Sequence, residues 1–147
     1  MEKRQMTAEL RTDLGKGATK RFRQNGLVPA VVYGSKKEPI SILFNRNELE
    51  KAYRSEYGRN ILMDLTIKTD KEDIKEDVVT YVLERNAISQ FIDHVDLIRV
   101  EPNKPITLTV RLQIEGVAPG VKMGGILISK KDRVRISTTA DLIPEYI

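Results

Sequence analysis

Apolar and polar residues alternate in several short stretches of the chain, and this two-residue period predicts β-strands. Met6, Ala8 and Leu10 alternate with polar residues, and residues 61–67 alternate in the same way. Each such strand has one apolar face, so we expect the strands to enclose a common core. Further strand candidates lie at residues 28–33, 40–44, 78–85 and 94–100.

The residues between these strands predict two short helices. Residues 18–24 form a basic helical segment that ends at Asn25-Gly26. A second helix should begin after Asn45, a favourable N-cap with Glu48 at the third helical position, and should end near Gly58. Because helices are too few for a doubly wound sheet, the pattern predicts a small, mainly β barrel.

Two further features refine the strand assignment. Pro29 lacks a backbone N–H, which predicts that its strand starts there or lies at a sheet edge. The charged stretch 68–77 is predicted to connect two strands as a long hairpin loop.

Two prolines within residues 101–105 predict a linker. We therefore expect a barrel domain at residues 1–100 and a β-rich domain at residues 101–147. The second domain is predicted to contain a long strand at 106–114, a glycine-rich loop at 116–125, and strands at 126–129 and 134–137.

Three strands cannot cover an apolar face without a second layer. We therefore expect the sequence to hold only part of this second domain.

Positive charge is concentrated near the amino terminus. The net charge is +4, but residues 1–37 contain nine Lys or Arg and three acidic residues, so the other 110 residues sum to −2. This segregation is typical of a surface that binds a polyanion such as RNA, while a solvated basic face is the alternative.

Composition disfavours most enzyme classes. The chain has no cysteine and a single histidine, His94, so thiolate chemistry and the usual zinc sites are unavailable. No apolar run approaches the ~20 residues that cross a bilayer, and the charged residues 1–6 are not followed by an apolar stretch of the kind expected in a signal peptide. We expect a cytoplasmic protein without a cofactor.

Three groups of residues are candidates for contact with RNA. Gly15-Lys16-Gly17 lacks the spacing of a nucleotide-binding loop, but its glycines permit close approach of a phosphate backbone; the alternative is a mobile solvated loop. Tyr33 precedes Gly34 and is either a stacking residue or part of the core. His94 and Asp96 share one strand face and offer a donor and an acceptor, although a lone histidine is often structural.

Several ordered blocks resemble the bacterial ribosomal protein L-twenty-five family. They are Leu14 to Arg23, Val28 to Gly34, Gly58-Arg59-Asn60 and His94-Val95-Asp96-Leu97. Residues 116–125 look like the second domain of the family's long form, also called general stress protein Ctc. Glu84 departs from the family pattern, which has an amide there.

The resemblance implies a six-stranded β-barrel that binds 5S rRNA in the central protuberance of the large ribosomal subunit, without catalysis. Rival hypotheses are a tRNA-binding barrel, a stress-induced ribosome-associated protein with a protein partner, and an enzyme that uses His94 with Asp96. By position, the resemblance implies RNA contacts at Arg11, Lys16, Lys20, Arg21, Tyr33, Arg85, His94 and Asp96.

Overall fold

The computed structural model describes residues 3–54, 60–144 and 146–147. Its elements alternate short strands with a few short helices, as the hydrophobic pattern predicts. In chain order they are β1 (Arg4–Leu10), α1 (Lys16–Gln24), β2 (Leu27–Tyr33), β3 (Ile40–Asn45), α2 (Arg46–Tyr53), β4 (Leu62–Lys68), β5 (Ile74–Arg85), β6 (Ile92–Arg99), β7 (Ile106–Arg111), α3 (Pro119–Lys122), β8 (Arg133–Thr138) and a 3₁₀ turn (Ala140–Leu142).

The first six strands form a closed barrel in the order β1-β3-β2-β6-β5-β4. The β1–β4 and β2–β6 pairs are parallel, and the other neighbours are antiparallel. Alternate residues point inward, as shown by Val28, Ala30 and Val32 of β2, which are fully buried. The predicted fold class, a six-stranded barrel followed by a partial β domain, is confirmed.

Helix α2 packs against the barrel core. The Asn45 side chain accepts hydrogen bonds from the backbone N–H groups of Asn47 and Glu48, which confirms the predicted N-cap. The Tyr53 hydroxyl lies 2.6 Å from the Thr80 hydroxyl, so its polar tip is satisfied inside the core. The predicted stop at Gly58 lies outside the described residues.

Two expectations about the barrel strands are wrong. Of the two alternatives for Pro29, the sheet edge is wrong, because the barrel is closed; Pro29 instead lies near the start of β2, opposite Leu43 of β3, and pairing with β6 starts only at Ala30. The predicted loop at 68–77 is also too long. Residues from Ile74 onward already belong to β5, because the ladder with β4 extends to the Ile67–Ile74 pair.

The second unit is a two-stranded antiparallel sheet of β7 and β8. Its apolar face packs on the outside of the barrel, where Val79 of β5 forms a small buried cluster with Leu108 and Ile143. Ile98 and Val100 of the barrel pack against the same cluster. The barrel's outer surface therefore serves as the second layer that this sheet requires.

Two strand predictions in the second unit fail. The strand predicted at 106–114 ends at Arg111, opposite Arg133, the first residue of its antiparallel partner β8, and Ile114 is exposed. Residues 126–129 form no strand: Ile126 is 88% exposed, so no sheet or core covers the run. The glycine-rich loop contains α3, a single helical turn.

Candidate nucleic-acid interface

The outer face of β2 and β6 brings together three of the predicted contact residues. In the parallel register Val31 lies opposite Asp96, and Tyr33 lies opposite Ile98. Residues 95 and 97 point into the core, so His94 and Asp96 point outward with Tyr33. One face therefore presents an aromatic ring, an imidazole and a carboxylate.

His94 and Asp96 contact each other directly. The His94 Nδ1 atom lies 3.1 Å from Asp96 Oδ1, and the two side chains are 26% and 30% exposed. The contact fixes the imidazole orientation and keeps the second ring nitrogen for another partner. The predicted placement of both residues on one strand face is confirmed, and the contact between them is an additional finding.

Tyr33 lies half-buried at the end of β2. Its ring contacts Tyr81 of β5 edge to face, with centroids 6.4 Å apart. Partial burial raises the pKa of Tyr33, and the nearby Asp96 and Tyr81 raise it further. The phenol therefore stays neutral at physiological pH and keeps its O–H as a donor.

Helix α1 adds positive charge beside this face. Lys16, Lys20 and Arg21 are exposed on the helix. Arg23 Nε donates to the backbone oxygen of Asp93 at 3.0 Å, which ties α1 to β6 next to His94. Sequence patterns did not single out Arg23, because its role depends on a contact with a residue 70 positions away along the chain.

Arg11 organises the loop that precedes α1. Its guanidinium donates to the Asp13 backbone oxygen at 2.8 Å and to the Thr19 hydroxyl at 3.0 Å. The same group lies over the Phe22 ring, 5.6 Å from its centroid. These contacts hold the loop and the first turns of α1 in one arrangement.

Arg85 takes part in an internal ion pair. Its Nη1 lies 3.0 Å from Glu50 Oε2 and donates to the Gln90 backbone oxygen at 2.8 Å. Glu50 also accepts from the Ile92 N–H, so the pair joins α2 to the β5–β6 turn. Arg85 therefore helps to hold α2 against the β5–β6 turn, a structural role that the sequence alone did not indicate.

The candidate interface therefore consists of Tyr33, His94 and Asp96 on the outer barrel surface, with the basic side chains of α1 beside them. Whether these residues, Arg11 and Arg85 touch RNA stays a prediction. Over residues 3–54, 60–144 and 146–147, no cluster of three His, Cys, Asp or Glu side chains is arranged to hold a metal ion. Within the same ranges no helix has the length and apolarity to cross a membrane.

Comparison with known proteins identifies relatives of both parts of the chain. Residues 6–97 match the family described as Ribosomal L25p family, and residues 105–147 match the one described as Ribosomal protein TL5, C-terminal domain.

Individual relatives cover nearly the whole sequence. The protein named "Large ribosomal subunit protein bL25" from Psychromonas ingrahamii is 37% identical over 97% of this chain and 69% of its own length. Its namesake from Pelobacter propionicus is 33% identical over 100% of this chain and 73% of its own length. The one from Halothermothrix orenii is 31% identical over 100% of this chain, which spans 66% of that relative. The chain belongs to the Ribosomal L25p family.

Proposed function

We propose that this protein is a structural, non-catalytic component of the large ribosomal subunit in the bacterial cytoplasm, and that it binds 5S rRNA in the central protuberance. Family membership and the names of the relatives support the ribosomal role. The observation that carries the RNA-binding role is the outer face of β2 and β6, where Tyr33, His94 and Asp96 lie together beside a basic helix.

The basic side chains act on the phosphate backbone in this proposal. Lys16, Lys20 and Arg21 are exposed and neutralise phosphates, which adds affinity without reading sequence. Arg11 holds the loop in front of them. Gly15 allows the turn into α1 because its φ of 115° lies in the region that side chains disfavour.

The strand face supplies the more selective contacts. Proteins that recognise RNA stack unpaired bases on aromatic rings and bond to base edges and ribose hydroxyls. Tyr33 supplies a ring and a neutral hydroxyl, while Asp96 accepts and His94 donates or accepts. Arg85 completes the proposed contact set, and its bond to Glu50 fixes its position at the end of β5.

A competition titration tests this function. Labelled 5S rRNA is titrated with the full chain at fixed salt, and unlabelled 5S rRNA, tRNA and double-stranded RNA are added as competitors. We expect only 5S rRNA to compete at low concentration. Equal competition by tRNA would instead favour the tRNA-binding alternative, and no binding at all would refute the proposal.

The Tyr33 variants separate stacking from a core role. A base–aromatic stack contributes about 1–3 kcal/mol to binding, so Tyr33→Ala should weaken 5S rRNA binding by that amount. The dependence of the binding constant on salt concentration should not change, because no charge is removed. Tyr33→Phe should keep the stack. A folded Tyr33→Ala protein that binds with wild-type affinity would rule out contact at this position.

A further inference from the structure

Tyr81 is delivered to the barrel surface by a β-bulge. Thr80 pairs with Leu97 of β6 and Val82 pairs with Asp96, so Tyr81 is the extra residue between consecutive β6 partners. Thr80 is buried and bonded to Tyr53, and Leu83 also lies in the core. The bulge therefore places Tyr81 and Val82 together on the outer face, where regular alternation allows only one of them.

The bulge sets Tyr81 beside the proposed RNA contacts. Its ring makes an angle of 86° with the Tyr33 ring at 6.4 Å between centroids. Tyr81 is exposed, with 48% of its surface accessible, whereas Tyr33 is more deeply buried. Val82, the next residue, lies opposite Asp96. Bulges commonly re-aim a side chain next to a functional site.

We propose that Tyr81 is a second nucleotide-contacting residue and that it forms, with Tyr33, a two-ring corner for one unpaired nucleotide of the RNA. This inference rests on the proposed function. Two perpendicular rings offer one surface for stacking and an adjacent edge that limits where the base or ribose can lie. Tyr81 thereby adds affinity and sets the orientation of the nucleotide, beyond what Tyr33 does alone.

Substitutions in the full chain test the contact. Tyr81→Ala should weaken 5S rRNA binding about five- to 150-fold, the range that corresponds to one lost base–aromatic stack. Tyr81→Phe should bind within about twofold of wild type, because the ring remains. The salt dependence should not change in either variant, since no charge is removed.

Tyr146→Ala is the matched control. Tyr146 is exposed to nearly the same extent as Tyr81, 46% against 48%. It lies in the second unit, however, where its backbone pairs with Arg111 of β7. We expect wild-type affinity from this variant. An equal loss of binding from Tyr146→Ala would show that removal of any exposed tyrosine has the same effect and would overturn the assignment of Tyr81.

The double variant Tyr33→Ala/Tyr81→Ala measures whether both rings contact one nucleotide. Residues that share a partner are non-additive, so we expect the double variant to lose less than the product of the two single effects. If the wild-type protein binds and folded Tyr81→Ala binds equally well, the inference fails and the proposed function stands. If the wild-type protein does not bind 5S rRNA, the proposed function fails and the inference fails with it.

Discussion

The barrel and the β7–β8 unit bury their apolar residues to very different extents. Among the residues that the structure describes, the barrel and its helix α2 hold nineteen buried residues in one cluster, whereas the second unit shares a cluster of three, one of which, Val79, belongs to the barrel. Ile126 and Ile128 of the second unit are 88% and 78% exposed. The second unit is thus attached to the barrel rather than built around a core of its own.

The difference follows from closure. In a closed barrel every strand has two neighbours and every inward side chain meets others, so alternation alone is enough to specify a core. A two-stranded sheet has two edges and one apolar face, and it must use another surface as cover. We infer that the barrel holds most of the stability, together with the proposed RNA-binding face, while the second unit depends on the barrel.

Truncation of a core side chain should give the largest effect. Phe44 is fully buried in the barrel, so Phe44→Ala should lower the free energy of unfolding by about 3–5 kcal/mol. Urea denaturation measures the change. The matched substitution in the second unit, Ile126→Ala, should change it by less than about 0.5 kcal/mol. A comparable loss from both variants would contradict the difference between the two regions.

Removal of the second unit should have an intermediate effect. A chain that ends at residue 102 loses the cover over Val79, Ile98 and Val100. Exposure of one such side chain costs about 1.5–3 kcal/mol, and we expect a loss of this order with cooperative thermal melting retained. Loss of cooperative melting would place the domain boundary elsewhere than 101–105.

The same contrast explains what the sequence could predict. Alternation or short apolar runs located the barrel strands, and a good N-cap at Asn45 located α2, because these signals are local. The alternation of residues 106–114 and the apolar run at 126–129 both misled, since such a stretch becomes a strand only where a partner strand reaches it. The partner β8 begins only at Arg133, opposite Arg111, which no local pattern indicates.

Alkaline pH should lower the stability of the fold through the buried hydroxyl of Tyr53. Burial raises the pKa of Tyr53 above its ordinary value of 10.0. The folded state therefore favours the neutral phenol, so stability is complete below pH 10 and falls as the pH rises above it. Tyr33 also lowers the stability above pH 10, because its pKa in the folded state is raised too.

Tyr53→Phe tests this contribution. Loss of the hydrogen bond to Thr80 should cost about 0.5–1.5 kcal/mol at neutral pH. The decline of stability above pH 10 should be shallower than in the wild-type protein, as measured by urea titration at each pH. A wild-type slope in the variant would mean that Tyr53 does not titrate with unfolding.

The smallest expected effect is on the salt dependence of binding. If Lys20 and Arg21 contact phosphates, each change to Ala should weaken binding to every RNA about equally and reduce the salt slope by roughly 1. Lys130→Ala, an exposed lysine of the second unit, is the control and should leave the slope unchanged. Equal slopes for all three variants would remove α1 from the interface.

The candidate site was less predictable than the fold. Sequence placed His94 and Asp96 on one strand face, and their 3.1 Å contact agrees. It did not predict Tyr81 beside Tyr33, because a bulge shifts the strand register by one residue without a local signature. The bond between Arg85 and Glu50 was also unforeseen, since it joins residues 35 positions apart.

We propose that the barrel, not the second unit, binds 5S rRNA. Titration of labelled 5S rRNA with the two fragments, residues 1–102 and residues 101–147, tests it most directly. We expect the barrel fragment to bind with an affinity close to that of the full chain, and we expect no binding from the other fragment. A folded barrel fragment without affinity, or equal affinity from residues 101–147, would contradict it.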